Sequence, residues 1–262
     1  MVATDLDHTL IWHDRALRPR TLKVLTRARE SGLHVIVVTG RMVQSLHRIM
    51  PLSILDEPAI CYQGAAVVDA GGAWLLHVTI DVELARETIV ALEAEGFHPN
   101  VYVDDELYVS HLTEHAEAYA SFQGLDIHVV GDVGEWLERP PTKVVCVGDS
   151  DVLDGVEVRM KEVFRGRLTI SKSLPYFLEF TALGITKGSG LDFLAEHMGF
   201  TPEQTISFGD GENDVELVEW SAYGIAVENA HPRVKAVADW VCPPAVDEGV
   251  AAVLEALLDS RG

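Results

Sequence analysis

Basic residues are scarce in this chain. Lys and Arg total 20 against 41 Asp plus Glu, a formal charge of -21. That balance excludes a broad nucleic-acid or anionic-membrane footprint, so any anionic ligand must be held by a few local groups. Long apolar runs are missing as well: nothing approaches the ~18 residues of a membrane span. The first residues lack the basic, then apolar, then small order of a secretory signal, so the expected location is the cytoplasm. Cysteine is rare. Cys61, Cys146 and Cys242 have no metal-ligand spacing, and each sits in an apolar stretch where a thiol behaves as a small buried hydrophobe. Aromatic residues, at 7%, are not enriched for a stacking surface, and the chain shows no internal repeat or low-complexity tract. Among eleven histidines, His111 and His115 read as a helical i,i+4 pair, which without a third ligand is a surface feature rather than a metal clip.

What is present is the balance of a folded globular chain, 48% hydrophobic and 23% charged. At 262 residues the chain exceeds the roughly 250 at which a single core stops growing, so two domains are expected. The first third alternates strand and helix. "MVATD" reads as a buried strand and "LRPRTLKVLTRARESG" as a helix begun by Pro19 and ended by Gly32. "LHVIVV" is a second strand, "MVQSLHRIM" a helix and "PAICYQGAAVV" one further strand. The last third repeats the alternation through "GSGLDFLAEHMG", "TISFG", "ENDVELVEWS", "YGIAV", "AHPRVKAVA", "WVC" and "DEGVAAVLEALL". Such succession predicts an α/β fold, a doubly wound parallel sheet of the Rossmann-like kind. Between them, paired short strands and fewer helices predict an inserted α+β module with an antiparallel sheet and helices on one face. The predicted boundaries are a core of 1–81 and 182–262 and an insert of 82–181.

Four segments stand at predicted strand-to-helix junctions of the core: "DLDHT" with Asp5, Asp7 and Thr9; "TGR" with Thr39, Gly40 and Arg41; "TKGSG" with Lys187; and "GDGEND" with Asp210, Asn213 and Asp214. Ligands of open α/β sheets bind beyond the carboxyl ends of the strands, where segments distant in sequence converge. Four carboxylates gathered there cannot all ionise unaided, so a divalent cation is expected, and oxygen-only donors suit Mg²⁺. The same set suits a phosphoryl group. Lys187 supplies a point charge, Thr39 and the Gly40 N–H donate hydrogen bonds, and a carboxylate can serve as nucleophile.

These segments, in this order, resemble the motifs of the haloacid dehalogenase-like superfamily, in particular its Cof-like sugar-phosphatase branch with a large α/β cap between the second and third motifs. The resemblance implies a Mg²⁺-dependent phosphatase acting on a small phosphorylated metabolite through an aspartyl phosphate. It implies that Asp5 is the nucleophile and Asp7 the general acid and base. It further implies that Asp5, the Asp7 backbone carbonyl and Asp210 ligate the metal with Asp214 in support. Leu6 through its N–H, with Thr39, Gly40, Lys187 and Asn213, would hold the phosphoryl group, and the cap would select the substrate. Candidate selecting residues are Pro175, Tyr176, Phe177 and Glu179 and the turn at Asp104 and Asp105. Two competing functions are a phosphomutase of the same fold and a non-enzymatic phospho-acceptor or ligand-binding module. Three residues depart from the family pattern: His8 and Glu228 stand where glycine is usual, and Gln63 where asparagine is usual. Neither the particular metabolite nor the oligomeric state follows from the sequence.

Overall fold

The structure is a computed structural model that describes residues 1–12, 16–50, 54 and 56–260. In chain order it begins with β1 (Val2–Asp5), α1 (Pro19–Glu30), β2 (Val35–Val38), α2 (Val43–Ile49), β3 (Ala59–Cys61), β4 (Ala66–Val68) and β5 (Trp74–His77). It continues with α3 (Val82–Ala94), β6 (Asn100–Val103), β7 (Glu106–Val109), α4 (Glu114–Gln123), β8 (Ile127–Val129), α5 (Val133–Trp136), β9 (Lys143–Val147), α6 (Ser150–Val163), β10 (Leu168–Leu174) and β11 (Phe177–Ala182). It ends with α7 (Lys187–Met198), β12 (Ile206–Gly209), α8 (Val215–Trp220), β13 (Tyr223–Val227), α9 (Pro232–Val237), β14 (Trp240–Cys242) and α10 (Gly249–Asp259).

Two compact units result. The first joins Met1–Gly40, Ile49–Leu76 and Thr186–Gly262; the second joins Arg41–Arg48 and His77–Ile185. The segment 82–181 lies inside the second unit, which extends past it at both ends and takes in most of α2.

The first unit is built on an eight-stranded sheet of order β14-β13-β12-β1-β2-β3-β4-β5. The strands from β14 to β3 run parallel, and β2 among them is the continuous apolar run expected of a strand covered on both faces. Met1, Ala3, Ile36, Val38 and Ile60 meet Leu191, Leu194 and Ala195 of α7 and Leu217 of α8 on one face. Successive strand residues point to opposite faces, so Val2, Val35 and Val37 line the other, where α1 packs against β2 and against α10. Helix α1 forms because Pro19 presets its first turn and Val24, Leu25 and Ala28 share a buried stripe; Gly32, at φ 86°, lets the chain turn out of it. Each large aliphatic side chain buried this way contributes roughly 1.5–3 kcal/mol.

One expected strand is two. "PAICYQGAAVV" folds back on itself, with Ala59, Ile60 and Cys61 pairing antiparallel to Val68, Val67 and Ala66. The turn is Tyr62–Gly64, all three at positive φ (53°, 59° and 102°). Gly64 is required there: a β-carbon would sit 2.1 Å from the Thr186 carbonyl oxygen at the start of α7.

The second unit has a six-stranded sheet of order β10-β11-β9-β6-β7-β8. It is not wholly antiparallel as expected, because β8 pairs parallel with β7. Nor are its helices confined to one face. Residues of α3 (Ala85, Ile89, Leu92) and α6 (Leu153, Val156, Met160) pack with Val101, Val103, Val144, Cys146, Leu178 and Phe180. Tyr102, which alternation turns to the opposite face, donates its hydroxyl to that of Tyr119 on α4 at 2.7 Å. The β6–β7 connection is a two-residue turn, Asp104–Asp105, with both residues left-handed as such tight hairpins demand. The Asp105 carboxylate accepts from the backbone N–H groups of Val43 and Gln44, 3.0 Å each, and so caps the start of α2. His111 precedes α4, whose cap is Thr113, so His111 and His115 do not share a helical turn. The three cysteines are buried, and burial pushes the thiols of Cys146 and Cys242 up to about 12 and about 11.

Candidate active site

The strand order reverses at β1, with β2 and β3 added on one side and β12 on the other. Registers place Asp5 level with Val38 and Thr4 level with Phe208, so the chain leaves β1, β2 and β12 at one height. The next residues are Leu6 and Asp7, Thr39 and Gly40, and Asp210. Opposite them begins α7, where Thr186 caps the helix: its side chain accepts from Ser189 N at 3.1 Å while Ser189 Oγ accepts from Thr186 N at 2.9 Å. Lys187 is thereby fixed as the first residue of the helix, and its side chain is buried.

One carboxylate oxygen from each of Asp5, Asp210 and Asp214 lies within 4.8 Å of the other two. Lys187 Nζ donates to Asp5 Oδ1 at 2.5 Å and to Asp214 Oδ1 at 2.6 Å. Asp214, wholly buried, also accepts on Oδ2 from the Asp210 and Gly211 N–H groups, 2.9 Å each. Both its oxygens are committed to holding Lys187 and the "GDGEND" turn. Asp210 is partly buried and accepts from Thr9 Oγ1 at 2.6 Å. Asp7 is partly exposed; its carboxylate is outside the group of three but close enough to raise Asp5.

The cluster holds more negative than positive charge, and its titration reflects that. Burial, then the charge of Asp214, pushes Asp5 up to about 7 against the pull of Lys187. Burial, then Asp5 and Asp214, raises Asp210 well above the usual carboxylate range. Burial opposes the Lys187 ammonium, but Asp214 and Asp5 outweigh it and the lysine stays charged. One lysine among three close carboxylates leaves room for a further cation, and three hard oxygen donors are the ligand type that Mg²⁺ takes.

The remaining sequence-derived candidates occupy the surrounding turns. Leu6 is buried, and its carbonyl accepts from Leu10 and Ile11 N–H groups, closing the turn that carries Asp7. Thr39 is buried, with its N–H on the Ile60 carbonyl. Gly40 lies under the Gln63 amide: a β-carbon there would come 2.3 Å from Gln63 Nε2. Asn213 donates from Nδ2 to Gln63 Oε1 at 2.9 Å. Arg41 groups with the second unit, where its guanidinium bonds Ser45 Oγ and the Phe122 carbonyl. Of the suggested selecting residues, Glu179 is buried against Lys143 and Phe177 is buried, whereas Tyr176 is exposed.

Two residues departing from the family pattern share a cause. His8 sits at φ 65° and Gln63 at φ 59°, the left-handed region that glycine and asparagine tolerate best. His8 is anchored by its N–H on the Ile11 carbonyl and by Asn229 Nδ2 on its own carbonyl, 2.8 and 2.9 Å. Nothing in the structure explains Glu228. Asn229 and Gln63 both bind the turns of the site, and neither stands among the site residues expected from sequence; the departures from the family pattern at Gln63 and at Glu228, beside Asn229, are the available signal.

The sequence matches the family model of haloacid dehalogenase-like hydrolases over residues 2–254. The chain belongs to that family. Among its relatives, this haloacid dehalogenase-like hydrolase is 28% identical to the pyridoxal phosphate phosphatase of Escherichia coli, over 96% of each chain. It is 25% identical to the 5-amino-6-(5-phospho-D-ribitylamino)uracil phosphatase of Bacillus subtilis, over 97% of this chain and 96% of that one. Its fold superposes on a haloacid dehalogenase-like hydrolase of Bacteroides thetaiotaomicron with a TM-score of 0.85, 25% identity and 98% coverage of both chains. Among the described residues no helix is long and apolar enough to cross a membrane.

Proposed function

We propose that this hydrolase is a Mg²⁺-dependent phosphatase that cleaves a small phosphorylated metabolite through an aspartyl-phosphate intermediate on Asp5. The observation that carries the reading is the trio Asp5, Asp210 and Asp214 within 4.8 Å, with Lys187 bonded to two of them. When bound, Mg²⁺ offsets the carboxylate charge and that of a phosphoryl oxygen. Asp5 and Asp210, with the Asp7 carbonyl, are the groups that would hold it.

Lys187 favours the ionised form of Asp5 against burial and the charge of Asp214, and fixes the direction of its carboxylate. An Asp5 oxygen attacks phosphorus, the bond to the ester oxygen breaks, and Asp7, partly exposed beside it, gives that oxygen its proton. Asp7 then takes a proton from water as the water oxygen attacks phosphorus and the bond from phosphorus to the Asp5 oxygen breaks. Inorganic phosphate leaves and Asp5 is restored. Thr39, the Gly40 and Leu6 N–H groups, Lys187 and Asn213 hold the phosphoryl oxygens, and Asp214 holds Lys187.

The relatives' activities toward pyridoxal phosphate and a phosphorylated ribitylaminouracil support a small phosphomonoester as substrate. The region 82–181 is the cap that would choose among such substrates, and an internal cytoplasmic setting suits them. Hydrolysis of p-nitrophenyl phosphate with and without Mg²⁺ tests the proposal. Activity is expected to need the metal and to fall at least about 10³-fold in Asp5→Asn. Full turnover in that variant would reject the mechanism. A phosphomutase would instead yield an isomerised sugar phosphate and no free phosphate.

A further inference from the structure

Gln63 is buried, 2% exposed, on a turn whose backbone is left-handed at three successive residues. Such a turn persists only where surrounding structure enforces it. Three of the segments placed around the phosphoryl group enforce it here. The Gln63 N–H donates to the Thr39 carbonyl at 3.2 Å, and its amide lies across the Gly40 α-carbon. Gly64, the next residue, abuts the first turn of the helix carrying Lys187, and the Gln63 side chain accepts from Asn213 Nδ2 at 2.9 Å, 150 positions away.

That amide pair is not satisfied. Gln63 Nε2 and Asn213 Oδ1 are buried without a hydrogen-bond partner among the described residues. A buried amide left so costs about 1–3 kcal/mol, and such groups in a folded protein call for an explanation. Turning both amides over keeps their shared bond and moves the open NH₂ from Gln63 to Asn213. In either arrangement the pair holds one NH₂ that is unspent. Phosphoryl oxygens only accept, so an unspent donor beside Gly40 and Asn213 is what they need.

We propose that Gln63 is a positioning residue for phosphoryl binding: its bond to Asn213 fixes the direction of that amide and leaves the pair a donor for a phosphoryl oxygen. This rests on the phosphatase reading and adds to it a residue outside the four motif segments. Because the neighbouring groups supply charge and Gln63 none, its loss weakens the grip on phosphate without removing the nucleophile.

Inorganic phosphate is the probe, and its binding needs no turnover. Calorimetry of the full chain with Mg²⁺ gives its dissociation constant, and p-nitrophenyl phosphate gives kcat and KM. In Gln63→Leu the phosphate constant is expected to rise about 10-fold or more, and KM with it, with kcat reduced less. Adding Gln63→Leu to Asn213→Ala is expected to cost little further, since the two act as a unit. The proposal is overturned if Gln63→Leu binds phosphate within twofold of the parent, or if the two losses multiply in full. A lowered Tm with unchanged phosphate binding would assign Gln63 to folding alone and likewise overturn it. If the parent binds phosphate but does not turn over, the phosphatase reading fails while the Gln63 measurement still decides; if it does neither, both fall.

Discussion

Two buried lysines make the comparison that separates the candidate site from the scaffold. In the first unit Lys187 faces three carboxylates, Asp5, Asp210 and Asp214. In the second, Lys143 Nζ meets one, Glu179, at 2.9 Å. The second cluster is complete: Ser173 Oγ donates to the other Glu179 oxygen, and Lys143 lies over the Tyr102 ring at 5.0 Å from its centre. Burial opposes the Lys143 ammonium, but Glu179 and then Tyr119 together outweigh it and the lysine is held charged. Around Lys187 the charges do not balance, and the excess appears as carboxyl groups pushed toward their neutral forms. A balanced buried pair has nothing left to bind; an unbalanced one has a ligand still to come.

The largest expected effect is on the balanced pair. Glu179→Gln leaves a buried ammonium without its counter-ion and should lower stability by about 3–5 kcal/mol, read from the denaturant midpoint. Replacing both partners, Lys143→Met with Glu179→Leu, removes the uncompensated charge and should restore most of the loss. If Glu179→Gln is tolerated within 1 kcal/mol of the parent, on the order of an exposed pair, the pair is not structural in the sense argued.

The unbalanced cluster should respond with the opposite sign, and to pH. Folding raises the Asp5 pKa from 3.8 to about 7, so between those values the folded state binds more protons than the unfolded one. The stabilisation from the protonated form is complete below about pH 4 and is lost as pH rises through about 7. Without metal, Tm should therefore fall from pH 5 to pH 8. Mg²⁺ competes with that proton, so the rise in Tm on adding it should be greater at pH 8 than at pH 5. Asp5→Asn removes part of the excess charge and should raise the metal-free Tm at pH 8 by about 2–4 °C, what ~1 kcal/mol makes in a region of this size. Equal Mg²⁺ shifts at the two pH values would sink this account.

Much of the fold was legible because it rests on local pattern. An unbroken apolar run marked β2, short largely apolar stretches marked β1, β12 and β13, and Pro19 and Gly199 marked where helices begin and end. What stayed hidden depends on partners far along the chain. The β3–β4 reversal lies inside one apolar run, since Tyr62, Gln63 and Gly64 interrupt hydrophobicity for only two residues. β5 is hard to read because Leu75 and Leu76 are only partly buried between exposed Trp74 and His77, so it carries no alternation. The parallel β7–β8 pairing depends on where α4 returns the chain, which periodicity does not encode. The charged groups of the candidate site stand out because each ends a strand or begins a helix. Gln63, by contrast, is uncharged and its partner is 150 positions away, so only geometry marks it.

The smallest expected effect concerns backbone strain, on which the two units also differ. Left-handed residues in the second unit, Asp104 and Asp105, make a hairpin turn that favours that conformation and cost little. His8, between Asp7 and Thr9, holds it with a β-carbon against the following carbonyl, a cost of roughly 1–2 kcal/mol. Its ring packs on Trp12 at 5.3 Å between centres, which offsets part of that. His8→Gly removes the strain but also the packing, and it adds chain freedom to the unfolded state. The net expected change is a gain of at most about 1 kcal/mol in stability, with Mg²⁺-dependent hydrolysis within a few-fold of the parent, because the ring supplies no group to the proposed reaction. A loss of more than 1 kcal/mol would mean the His8–Trp12 contact outweighs the strain. A fall in kcat beyond tenfold, with stability unchanged, would instead make His8 part of the unbalanced cluster rather than its strained neighbour.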